Sequence, residues 1–122
     1  MPQLEEAAAD RLADHFVNYL FDDYQGSRHV RRIASWMGFV LCGIRRVPGV
    51  IWKVGRKRQL VFQVGARRFK AKYDHQVGTR GGIRIVEVLP LQGQPEGVTV
   101  TTITSLREAE RFYRGARRLL AS

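Results

Sequence analysis

The feature that most constrains this chain is a change of hydrophobic period near Pro48-Gly49. Before it, Val30, Ile33, Ala34, Met37, Val40, Leu41 and Ile44 form one apolar stripe, the spacing of an amphipathic helix over 27–44. Ser27 is placed to cap that helix, and the stretch Gly43 to Gly49 is placed to end it. After the change, apolar residues alternate with polar ones. Val50–Val54, Leu60–Val64, Arg67–Asp74, Ile83–Leu89 and Val98–Ile103 read as strands. In the third, Phe69, Ala71 and Tyr73 fall on one side and Arg68, Lys70 and Lys72 on the other. This predicts a sheet with one core face and one wet face.

Helical spacing returns at both ends. Leu4, Ala8, Leu12, Phe16, Tyr19 and Leu20 predict a first helix over about 4–21, with Glu5, Glu6 and Asp10 at its amino end. Ser105-Leu106-Arg107-Glu108 is a capping box, and Leu106, Ala109, Phe112, Ala116 and Leu119 give the helix after it an apolar face. Short connections between the strands make them antiparallel neighbours, and the spacing of a βαβ unit is absent. The predicted fold class is α+β: two N-terminal helices, a four- or five-stranded antiparallel sheet and a C-terminal helix packed on one face. The 122 residues make a single domain.

Several function classes lose support at this stage. The single cysteine, Cys42, permits no intrachain disulfide and lies in an apolar stretch, where it reads as a buried small hydrophobe. His15, His29 and His75 lack the spacing of a metal site on one element. Gly78-Thr79-Arg80-Gly81-Gly82 lacks the spacing and lysine of a phosphate loop, so neither a cofactor nor a metal is expected. The longest uncharged run of the N-terminal half, Ala34 to Ile44, is too short to span a bilayer, which takes about 20 residues. With an acidic rather than basic and apolar start, the expected location is the cytoplasm.

Charge is the positive signal. The formal net charge is +10, unevenly spread: residues 1–23 carry −5, 24–73 carry +13 and 74–122 carry +2. Residues 24–73 contain thirteen bases and no carboxylate, whereas a charge-balanced surface intersperses both signs. The expected partner is DNA or RNA, held by its phosphates through Arg56, Lys57 and Arg58 of the first strand turn and Arg67, Arg68, Lys70 and Lys72 of the third strand. Trp52, Phe62, Phe69 and Tyr73 lie nearby; Phe62, Phe69 and Tyr73 fit the core face by alternation, while Trp52 and Tyr73, near strand ends, have the best prospect of exposure.

Two other readings use different residues. His75 with Tyr73, Lys72 and Arg80 would make a small metal-independent ribonuclease-like site, with proton donors and acceptors beside positive charge. Trp36 and Phe39, off the main stripe of the helix over 27–44, would suit a homodimer contact and an adaptor role. Glu87 alternates with Ile85 and Leu89; if it points inward it needs an arginine or hydroxyl partner.

Overall fold

A computed structural model describes residues 28–55, 59–89 and 97–120. The predicted helix over 4–21 and the turn bases Arg56, Lys57 and Arg58 lie outside the described residues, as do the side chains of Arg28, His29 and Arg31. The order is α1 (Arg28–Arg45), β1 (Ile51–Val54), β2 (Leu60–Val64), β3 (Arg67–Asp74), β4 (Gly82–Val88), β5 (Val98–Ile103) and α2 (Leu106–Leu120). One helix is thus described ahead of the sheet where the sequence predicts two. The five strands form a single antiparallel meander in sequence order.

Side-chain alternation divides this sheet into two faces. Register places Phe62 opposite Phe69, Ala71 between Leu60 and Ile85, and Ile83 beside Ile103; all are buried on the face that carries both helices. The Phe62 and Phe69 rings stack with centroids 5.0 Å apart. From α1, Ile33, Ala34, Met37, Val40, Leu41 and Ile44 close the same core, as their spacing predicts. From α2 come Ala109, Phe112, Ala116 and Leu120; Leu119, predicted on the apolar face, stays 37% exposed, and Leu120 takes the core position.

The two helices meet closely at Gly43. A Cβ there would lie 3.1 Å from the Tyr113 Cα and 3.4 Å from the Ala116 Cβ, so two small residues set the approach. Trp36 and Phe39, which suggested a dimer contact, are used within the chain. Trp36 is 6% exposed in the core, and Phe39 meets Tyr113 edge-on at 6.2 Å. Cys42 is buried, as expected.

The start of α2 departs from the simple capping box in one detail. The Glu108 N–H donates to Ser105 Oγ at 3.2 Å, the expected half. The Glu108 carboxylate, however, reaches one residue further back and accepts from the Thr104 N–H (3.3 Å) and hydroxyl (2.9 Å). A threonine hydroxyl before the cap offers a second donor that the Ser105 amide alone does not.

Candidate nucleic-acid interface

No described helix packs against the second face of the sheet. By register it carries Ile51 and Lys53 from β1, Val61 and Gln63 from β2, Arg68, Lys70 and Lys72 from β3, Arg84, Val86 and Val88 from β4, and Thr99 and Thr102 from β5. Val86 is buried but stands outside the core cluster, consistent with its place beside half-buried Lys70 on this opposite face. Arg68 and Lys53 are exposed. The predicted wet face of β3 is therefore present, and Lys53 and Arg84, which the sequence reading did not single out, share it.

Arg67 stands apart from the other expected contact residues of β3. It sits on the helix-side face with Phe69, at the end of the sheet. Its guanidinium grips Glu87 through two bonds, Nε to Oε2 at 3.0 Å and Nη2 to Oε1 at 2.9 Å, and lies over the Phe69 ring at 4.9 Å. A third bond, at 3.3 Å, goes from Nη1 to the Leu120 carbonyl and so ties the end of α2 to the sheet. Glu87 has the arginine partner its inward position required. Each ion favours the other: the Arg67 hydrogen bonds hold the Glu87 carboxyl below its ordinary range, and Glu87 raises Arg67 further.

On the open face, Lys72 and Arg84 are direct cross-strand partners, an unfavourable placement for like charges. Asp74, on the same face, relieves it: Arg84 Nε donates to Asp74 Oδ2 at 2.8 Å, and Arg84 Nη1 donates to the Thr99 hydroxyl at 3.0 Å. The Gln76 N–H donates to Asp74 Oδ1 at 2.9 Å, forming the turn after β3. The Gln76 amide, then Arg84, lower the Asp74 pKa. Three of the four described carboxylates are thus engaged: Asp74 and Glu87 with arginines, Glu108 in the helix cap. Among the described residues, neither Arg68, Lys70, Lys72 nor Lys53 has an ion pair.

Of the residues of the nuclease reading, Lys72 and Tyr73 point to opposite faces of the sheet, and His75 and Arg80 are exposed in the connection after β3. Tyr73 instead lies against the β3–β4 connection, where its hydroxyl would be 2.7 Å from a Cβ at Gly81, a residue with φ +83°. Among the described residues no group of three or more His, Cys, Asp and Glu side chains is placed to hold a metal.

Trp52 and Tyr73 are each 38% exposed, as their strand-end positions suggested, but register assigns both to the helix-side face. The described open face has no aromatic side chain, so it has no stacking platform for unpaired bases. Among the described residues no helix is long and apolar enough to cross a membrane. Comparison of the chain with protein-family models, with curated proteins and with solved structures returned no match.

Proposed function

We propose that this protein is a non-catalytic nucleic-acid-binding accessory protein that engages phosphate backbones with the open face of its sheet. The observation that carries the reading is the convergence of Lys53, Arg68, Lys70 and Lys72 on a face no described helix covers, while Asp74, the carboxylate described on that face, is engaged by Arg84. Side chains on one face of a strand recur about every 6.7 Å, so Arg68, Lys70 and Lys72 span about 13 Å of backbone. A single nucleic-acid strand presents a phosphate about every 3.4 Å of helix axis, so three cations in a row meet several of them. Arginine adds bidentate geometry to the charge. Of the side chains on this face, Arg68 and Gln63 are of the types that read base edges, and Gln63 Nε2 is bonded to the Gly65 carbonyl at 2.9 Å, so the reading is of a contact that follows mainly backbone and shape.

The test is binding to short duplexes and single strands across a salt series, with wild type and an Arg68→Ala/Lys70→Ala/Lys72→Ala variant. Affinity should fall with salt, and on duplex DNA the variant's log–log slope should be shallower by up to about 2.7, from about 0.9 per phosphate contact. A slope unchanged by the triple substitution, or no binding at low salt, would refute the proposal.

A further inference from the structure

A cleft opens where the first half of α1, the connection from β3 to β4 and the start of α2 come together. Its volume is about 550 Å³, within the roughly 300–1,000 Å³ usual for small-ligand sites. Each element brings a group that suits an anion. From α1 come Arg32 and Ser35, from the connection Thr79 and Arg80, and from the residues before α2 Thr104 and Ser105. Both guanidiniums stay charged at any physiological pH. Arg32 has no ion pair among the described residues, and no carboxylate lines the cleft. Glu108, which adjoins it through Thr104, is already engaged by the Thr104 amide and hydroxyl.

Backbone and hydroxyl donors add to the two arginines. Gly78 and Gly81 also line the cleft, and the amides of Gly78, Thr79 and Gly81 have no hydrogen-bond partner among the described residues. Both glycines take positive φ, +66° and +83°, a backbone form in which neighbouring N–H groups gather around an anion. The Ser105 hydroxyl accepts from the Glu108 N–H and keeps its own proton to donate. Leu106, the first residue of α2, lines the cleft too, so the positive end of that helix dipole adjoins it. Exposed Leu106 and buried Trp36 supply a carbon surface beside these donors.

We infer that this cleft binds the phosphate of an organic phosphate monoester, with Arg32 and Arg80 on its oxygens and the ester's carbon part against Leu106 and Trp36. A monoester carries about −1.5 to −2 charge at pH 7 and three acceptor oxygens, a match for two guanidiniums and several N–H and O–H donors. The inference does not rest on the sheet-face reading, since none of Lys53, Arg68, Lys70 and Lys72 lines the cleft. A free phosphate ester and the phosphorylated 5′ end of an oligonucleotide present the same group, and the experiment separates them.

The experiment is calorimetric titration with adenosine 5′-monophosphate, adenosine, and 5′-phosphorylated and 5′-hydroxyl tetranucleotides, joined to amide chemical-shift mapping. It uses wild type, an Arg32→Ala/Arg80→Ala variant and the triple sheet-face variant. Wild type should bind the monophosphate one to one, with shifts at Gly78, Thr79, Gly81 and Leu106. Adenosine should bind wild type, and the monophosphate the double variant, at least about tenfold more weakly, because the charge-assisted bonds are lost. The sheet-face variant should bind the monophosphate within about twofold of wild type, as distant sites act independently. Both substituted arginines are exposed, and far-UV circular dichroism checks the fold; the shift map needs no variant. A phosphorylated tetranucleotide that binds tighter than the monophosphate, with the 5′-hydroxyl form weak, would support the site with an oligonucleotide end as its source. One that binds no tighter would support it with a free ester. Shifts confined to Arg68, Lys70 and Lys72, with affinity lost in the sheet-face variant, would overturn the site and favour the open face. Equal affinity for adenosine and its monophosphate, or no saturable binding of the monophosphate, would overturn it and leave the sheet-face reading to its own test.

Discussion

Arg67 shows how far four neighbouring bases can differ in role. Arg67, Arg68, Lys70 and Lys72 look like one basic set in the sequence, yet only the last three share the open face. The parity that separates Arg67 was already readable: it is even-spaced from Phe69 and Ala71, both core. Its partner Glu87 was likewise recognisable from its alternation with Ile85. The pairing between them depends on β3–β4 register, which alternation alone does not supply. The salt slope of an Arg67→Ala variant on duplex DNA should match wild type, but its melting temperature should fall, because the change removes the Glu87 pair, the contact over Phe69 and the tie to Leu120. A slope reduced as much as by an Arg68→Ala change would contradict the assignment.

Acid sensitivity also belongs to single residues. Asp74 and Glu87 have pKa values below their ordinary 3.8 and 4.5 in the folded protein. Folding therefore gains stability from them above those ordinary values, and the gain disappears as pH falls through the lowered folded-state values. Urea midpoints should be level from pH 7 to about 5 as far as these two groups are concerned, then decline below about pH 4. Both pairs are partly solvent-exposed, so the decline is modest and is further reduced by added salt. In Arg67→Ala the Glu87 share of that decline should be absent.

At the scale of elements, periodicity located nearly everything described. The stripe of α1, the ranges of β2, β3 and β5 and the cap of α2 match the sequence reading, with other boundaries shifted by about one residue. What periodicity does not contain is how elements meet. The surplus of aromatic residues on α1 looked like a subunit contact because the position of α2 beside it was unknown. Gly43 is the key to that contact; in the sequence it reads as part of the helix end, whereas α1 runs through it to Arg45. A Gly43→Val substitution brings a branched side chain against the Tyr113 backbone and Ala116, where a Cβ alone is already tight. It should destabilise the fold by about 1–3 kcal/mol, read as a lower urea midpoint with helix content retained at low denaturant. A midpoint equal to wild type would show that the helices part without cost.

For the molecule as a whole, charge composition pointed toward an anionic partner, while the assignment of cations to two sides could not be read from it. Alternation gave the sides of β3, with Phe69 and Ala71 toward the core and Arg68, Lys70 and Lys72 toward the wet face; it left β4 open, because Val86 and Val88 sit on the wet face. Trp52 was the ambiguous aromatic residue, near the basic turn in sequence yet on the helix-side face, whereas Tyr73 falls there by its alternation with Phe69 and Ala71.

The meander order of the strands bears on how the chain assembles. Each strand pairs with the one made just before it, so hairpins close over short loops, the cheapest kind of chain closure. The contact of α1 with α2 is different, because Gly43 must find Tyr113 and Ala116 across the whole sheet sequence. During synthesis β1 to β4 therefore leave the ribosome before the helix that helps cover their apolar side, and β5 immediately before it. Until Leu106–Leu120 emerges, Ile85 and Ile103 lack part of their shelter. The fifteen residues of α2 act as the latch of folding, and a chain without them would present a greasy surface to every neighbour in a crowded cell.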